Sequence, residues 1–555
     1  MSTDLSAQPG LHRALIDDLL SEQQLLTPVG QFSRKREHHD LPAQAKYYRD
    51  LIPLSSPQTG EQYAFAVDLD ACTGCKACVT ACHNLNGLDE EETWRDVGVL
   101  FGGTIAEPVQ QTVTTACHHC LDPACLNGCP VEAYHKDPVT GIVRHLDDQC
   151  IGCQYCIWKC PYDVPKYSKK RGIVRKCDLC SSRLAAGEAP ACVQACPSEA
   201  IRITLVNQKR VKLESKSRFL PAAPDPDYTL PATQYRTNQS LPGNLRPADF
   251  FKIKPEHCHP PLVVMLVLTQ LSVGTFCISM ILQALFPAEL MHALTPFHLL
   301  VAFLLGWLAL AASILHLGRP LYAWRAFIGL KKSWLSREIV GFGLFAGLAL
   351  VYAASFGLPA LRGVANIPLF QTALGFGATA TGLAGVFCSI MIYRDTRRTF
   401  WRTSQTAPKF FGTALSLGSA TLIAAMTAQS LVGPAIAVHP AFHRVIHLLC
   451  GVLAVTMTVK LLWELAVFLH LSEPGWSSMK RTALLMSRAL KRVTIARSIC
   501  GALGGVVLPV LLLFGTTVPV GVVGILVFSL LGELLERYLF FTAVIPLKMP
   551  GGIAS

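Results

Sequence analysis

Acidic residues are few in this 555-residue chain and nearly missing from its second half: of 37 Asp and Glu, 30 lie in residues 1–257 and only seven in residues 258–555. Charged residues make up 15% of the chain against 51% hydrophobic ones, and the mean hydropathy is +0.37. Those averages exclude disorder, collagen-like repeats and an ordinary soluble enzyme. Nor is a cleavable export signal visible, since MSTDLSAQPGLHRALIDDLL has no basic segment followed by an apolar one, and none is expected. At roughly 150 residues per domain the length predicts three to four domains.

Basic residues divide differently. Residues 1–257 hold 28 Lys and Arg, a balance of −2, and residues 258–555 hold 21, a balance of +14. The excess lies among apolar runs, so a membrane partner is expected and nucleic acid is not. Eight runs reach the roughly 20 residues that cross a bilayer: 262–286, 296–317, 339–358, 368–393, 410–432, 445–471, 499–517 and 518–541. The seventh is separated from the eighth only by Gly515, Thr516 and Thr517.

Basic residues mark cytoplasmic connections. Sixteen fall after the second, fourth and sixth runs, from Arg319 to Arg497, whereas the intervening connections hold only Arg362, with Arg444 just before the sixth run. Both termini, and with them the first half, are expected in the cytoplasm, beneath the inner membrane.

The first half is marked by cysteine: 16 of 21 lie between Cys72 and Cys196. Without an export signal, metal ligation is a better reading than disulfides. Cys72, Cys75, Cys78 and Cys82 follow the C-x2-C-x2-C-x3-C spacing of bacterial ferredoxins, and Cys150, Cys153, Cys156 and Cys160 repeat it. Cys117, Cys120, Cys125 and Cys129 form another group, and Cys177, Cys180, Cys192 and Cys196 a fourth. Structural zinc needs two C-x2-C pairs per site, whereas tight triplets with a distant fourth thiolate suit the corners of an iron–sulfur cube. Four thiolates per cube predict four 4Fe–4S clusters. Internal repeats agree: AFAVDLDACTGC is echoed by GIVRHLDDQCIGC, and CPVEAY by CPSEAI. The expected fold is an α+β ferredoxin-like four-cluster domain followed by an all-α domain of eight transmembrane helices. Its parts are an N-terminal extension (1–60), the cluster domain (61–205), a Pro- and charge-rich linker (206–257) and the membrane anchor (258–548).

With these motifs, residues 63–205 resemble the iron–sulfur subunit of the DMSO reductase family of molybdopterin oxidoreductases. Residues 260–545 resemble that family's eight-helix anchor, through HLGRPLYAWRAFIGLKKSWLSREI, MIYRDTRRTFW and GELLERYLFF. The chain is similar to a fusion of the two. The resemblance implies cross-paired ligand sets: Cys72, Cys75, Cys78 with Cys196; Cys82 with Cys177, Cys180, Cys192; Cys117, Cys120, Cys125 with Cys160; and Cys129 with Cys150, Cys153, Cys156. It further implies a separate molybdopterin-containing catalytic subunit as partner, exchange with the quinone pool of the membrane, and no haem.

A quinone site needs a polar group for the ring oxygens. Glu338 stands where the family has an acidic residue implicated in quinol binding, and His316 and Arg319 end the second run on the same side. The competing readings are an interfacial carboxylate and a capping histidine. His443 and His447, at i and i+4, cannot ligate one haem from a single helix face. Lys460 and Glu464 read as a neutralised intramembrane pair.

No nucleophile–base constellation, phosphate loop or molybdopterin domain is apparent, so the chain is read as a non-catalytic electron-transfer subunit. The DMSO reductase likeness suggests quinol oxidation; a cytoplasmic face suits sulfite-dehydrogenase-like transfer to quinone, which is slightly favoured. The alternatives are a redox-linked proton-translocating module and a cluster-bearing scaffold or sensor.

Overall fold

The computed structural model describes residues 18, 20–22, 45–216, 219–357, 367–433, 436, 438–515 and 519–549. Most of the N-terminal extension, Arg362 and the Thr516–Thr517 break therefore lie outside the described residues.

In the cluster domain the strands between the later cysteine groups are only three residues long, and longer ones frame them. Strand β1 (Glu61–Asp68) pairs antiparallel with β8 (Ile201–Asn207), Phe65 opposite Ile203, so the two ends of the cysteine-rich segment close on each other. Strands β2 (Asp96–Gly103) and β3 (Pro108–Thr115) form a hairpin, and β4 (Tyr134–Lys136) with β5 (Val143–His145) and β6 (Lys166–Ser168) with β7 (Ile173–Arg175) form two more. Residues 206–257, expected as a linker, fold onto this body: β9 (Gln234–Arg236) lies parallel beside β1, and β10 (Arg246–Pro247) pairs with β2.

The internal repeat reappears in backbone geometry. Gly74 and Gly152 occupy the left-handed region at equivalent places (φ 75° and 71°), as do Lys76 and Gln154 (62° and 61°). Glu132 of CPVEAY and Glu199 of CPSEAI do likewise (52° and 51°). Left-handed non-glycine residues are uncommon, and their recurrence at matched positions marks one loop design used twice.

Among the described residues eight long helices follow: α1 (Pro260–Leu285), α2 (Ala288–Ile314), α3 (Trp334–Gly357), α4 (Ile367–Arg394), α5 (Thr403–Val432), α6 (Pro440–Leu465), α7 (Lys491–Leu513, with a π-helical middle at Leu503–Val507) and α8 (Pro519–Thr542). Of these, α1 to α7 are long and apolar enough to cross a membrane. The eighth has the length but carries Glu533, Glu536 and Arg537. Helix α1 is central and touches α5 through small residues: a Cβ on Gly274 would lie 1.8 Å from the carbonyl oxygen of Ala414.

The two parts meet over the connections after α2 and α4. Arg319 donates to the Asp147 carbonyl (2.8 Å), Arg325 to the Asp148 carbonyl (2.5 Å), and Ser333 to the Gly128 carbonyl (2.7 Å). Lys159 of the cluster domain pairs with Asp395 of the α4–α5 connection at 2.6 Å. The segment that follows α8 returns to the cluster domain, where Met549 is buried in its core. Tight seating depends on glycine: a side chain on Gly329 would meet the Pro130 carbonyl at 2.6 Å. The basic connections thus hold the upper domain mainly by guanidinium-to-carbonyl hydrogen bonds; Lys332–Glu132, at 4.0 Å, is a looser ion pair.

Candidate electron-transfer sites

The sixteen cysteines gather in four sets. Cys72 has Cys75, Cys78 and Cys196 as neighbours. Cys177 has Cys82, Cys180 and Cys192. Cys117, Cys120, Cys125 and Cys160 line one cavity, and Cys156 lies against Cys129, Cys150 and Cys153. The fold thus brings these cysteines together, with Cys177 also against Cys117. None of these cysteines is in a disulfide.

Burial pushes the Cys82 and Cys160 thiols up to about 12. Left bare they would stay protonated, and only a bound metal centre makes them thiolates. Among the described residues no three His, Cys, Asp or Glu side chains are placed around a single metal ion. Four thiols walling a cavity suit a polynuclear cluster.

The sets follow one another through the domain. Cys78 of the first approaches Cys192 of the second, and Cys177 of the second approaches Cys117 of the third. The buried Tyr134 lies between Cys125 of the third and Cys129 and Cys156 of the fourth.

The fourth set ends at the membrane part. A cavity of about 360 Å³, within the size range of small-molecule sites, is roofed by Cys153, Tyr155 and Trp158 and walled by residues of α1 to α4. Glu338, one turn into α3 and 4% exposed, faces it, and the hydroxyl of Ser389 on α4 donates to its carboxylate. His316 lines the same cavity, its Nε2 donating to the Cys153 carbonyl at 3.3 Å. Burial holds the His316 imidazole below its ordinary range, hence neutral. Arg319, expected with these two, is instead taken up by the Asp147 carbonyl and does not line the cavity. Tyr393, which lies within MIYRDTRRTFW, also lines the cavity, a place the motif alone does not reveal.

Residues 256–542, over half of the sequence, match the family of DMSO reductase anchor subunits. This protein belongs to that family. Within the cluster domain, residues 109–205 match a 4Fe–4S dicluster domain. The B subunit of anaerobic dimethyl sulfoxide reductase from Haemophilus influenzae is 36% identical over 188 residues, which span 32% of this sequence and 91% of that protein. Its counterpart from Escherichia coli K12 is 38% identical over 159 residues (27% and 77%), and the formate dehydrogenase-O iron–sulfur subunit of the same strain is 33% identical over 180 residues (28% and 60%). An iron–sulfur subunit and a DMSO reductase anchor are therefore joined in one multi-pass polypeptide, an electron-transfer and membrane-anchor subunit.

Two expectations about the anchor are sharpened by the structure. Lys460 and Glu464 are 3.8 Å apart, but Lys460 is held more closely by Glu533, and Glu464 takes a two-pronged contact from Arg497 at 2.9 and 3.0 Å. His443 and His447 both lie on the exposed face of α6.

Proposed function

We propose that this anchor carries four 4Fe–4S clusters in the cross-paired cysteine sets and exchanges electrons with a quinone in the Glu338 cavity. The far end of the cluster row serves a separate molybdopterin-containing catalytic subunit, in keeping with relatives named as parts of DMSO reductase and formate dehydrogenase. The observation that carries this reading is the cavity itself: Cys153, a ligand of the fourth set, and Glu338, a buried carboxyl, face the same volume.

Interconverting quinone and quinol moves two electrons and two protons. The clusters, when bound, supply the one-electron steps. Glu338 exchanges a proton with a quinone oxygen, Ser389 orients its carboxyl, and His316 offers its Nδ1 from the roof. Trp158, Phe342 and Leu266 give the cavity apolar walls that exclude water.

The basic connections after α2, α4 and α6 lie at the end that carries the cluster domain, as the contacts of Arg319, Asp395 and Trp476 (against Phe251) attest. By the positive-inside rule that end faces the cytoplasm. A redox-driven proton pump is less well supported, because Lys460, Glu464, Arg497 and Glu533 are engaged with one another.

The complex purified with its partner should contain about 16 iron atoms per polypeptide, at four per cluster, and its clusters should be reduced by an added quinol or reoxidised by a quinone. Clusters that neither quinol nor quinone can reach would sink the reading. Protease cleavage of the cluster domain in intact spheroplasts would sink the orientation.

A further inference from the structure

Two cations are buried inside the cluster domain, 2% and 3% exposed, where ordinary stability gives no reason for them: Arg95 and Lys176. Taking a charge out of water costs several kcal/mol unless an opposite charge compensates. Among the described residues neither pairs with a carboxylate. Arg95 donates to Thr114 Oγ1 at 3.1 Å and stacks over Phe65. Lys176 donates to the carbonyls of Val143 and Cys177, and its Nζ is 3.6 Å from Cys117 Sγ. The compensating negative charges are those the cysteine sulfurs carry once they ligate a cluster, with Asp178 adding to them at Lys176.

Their places are specific. Arg95 reaches Cys78 of the first set through Thr114, whose Oγ1 is also 3.6 Å from Cys78 Sγ, and its charge acts on Cys82, Cys177 and Cys192 of the second. Lys176 faces Cys177 of the second and Cys117 and Cys125 of the third. Each therefore sits at the junction of two successive sets, and the second set is flanked by both. At the third junction stands the uncharged Tyr134 ring, and the fourth set has backbone donors (Ala133 N–H to Cys129 at 3.2 Å, Gly152 N–H to Cys150 at 3.4 Å) and the His145–Asp147 pair.

We propose that Arg95 and Lys176 grade the electron affinity of the row, raising the midpoint potentials of the sites they face, most at the second and least at the fourth. Reduction adds one negative charge to a cluster, and a fixed positive charge in a low-dielectric interior favours that form. The gradient draws an electron from the cavity end toward the middle of the domain. This rests on the four-cluster reading above.

The test is a redox titration followed by EPR on the intact complex, with iron content as control. Lys176→Gln keeps a donor for both carbonyls but removes the charge, and should lower two of the four midpoints. Arg95→Gln should also lower two. One signal, the second set's, should fall in both variants, and the fourth set's in neither. Lys176→Arg should stay near the wild type. Four assembled clusters whose midpoints ignore both neutral substitutions would overturn the proposal. So would loss of clusters in both neutral variants beside normal potentials in Lys176→Arg, since the cations would then serve assembly. A wild-type complex with fewer than four clusters would instead refute the four-cluster reading.

Discussion

Glu338 and Glu533 are buried in the same helical bundle, and their surroundings are opposite. Glu338 has a serine hydroxyl on one side and a cavity of about 360 Å³ on the other. Glu533 has no free side: Lys460, Arg497 (3.1 Å) and Thr413 (2.6 Å) all donate to it. Around it α5 to α8 contribute four cations, Lys409, Lys460, Arg497 and Arg537, against three carboxylates, Glu464, Glu533 and Glu536. A buried carboxylate enclosed by cations fixes helices in register, whereas one left over an apolar cavity is available to a ligand. On the proposed quinone site, the anchor divides into a reacting half, α1 to α4, and a bracing half, α5 to α8.

The division breaks if Glu338 proves dispensable. Glu338→Gln preserves shape and hydrogen bonding but removes the proton exchange. Quinone-linked turnover should fall by about 10²-fold or more, the usual worth of a positioned acid–base group, with iron content unchanged. Undiminished turnover would move the proton chemistry elsewhere.

The complementary substitution is Lys460→Met. It leaves Glu533 with one cation fewer in a fully buried place, which costs about 3–5 kcal/mol. The expected outcome is a lower unfolding temperature in detergent, while the protein that remains folded turns over quinone normally. A stable variant that has lost turnover would show that the bracing half takes part in the chemistry.

A smaller effect separates seating from reaction. Arg319→Ala removes a charged donor to the Asp147 carbonyl, worth about 1–2 kcal/mol. Proteolysis between the cluster domain and α1 should come earlier, with the apparent affinity for quinone unchanged. A large loss of quinone affinity would return Arg319 to the cavity.

What the sequence revealed follows from the range of each interaction. Three cysteines of each set are close in sequence, so the cysteine groups and their repeat are visible in spacing, whereas the fourth comes from another group and is implied only by the family resemblance. A charge beside an apolar run is equally visible, hence Glu338. The cavity is not, because Trp158, Leu266, Phe342 and Tyr393 come from four distant segments and look like ordinary core. Lys460 and Glu464 were readable as a helix pair, but the closer partner, Glu533, is 73 residues away on α8. Arg95 and Lys176 look like surface cations until their burial is known.

The junction between the two parts offers the subtlest test. His259 precedes α1 and touches Trp158 of the cluster domain and His316 at the cavity, with ring centroids 5.1 Å apart in each case. Burial, and then the neighbouring His316 and His257, hold its imidazole at about 3 instead of 6.5. The folded junction therefore prefers neutral His259. Its contribution to stability is complete above the ordinary value, and drains away as acidification toward the depressed one protonates the unfolded state first. The unfolding temperature of the wild type should fall between about pH 7 and about pH 5, and that of His259→Phe, which keeps the ring packing, should fall less. Parallel profiles would mean that the junction is insensitive to this proton, and that the seat rests on its other contacts, Arg319, Arg325, Ser333 and Lys159 among them.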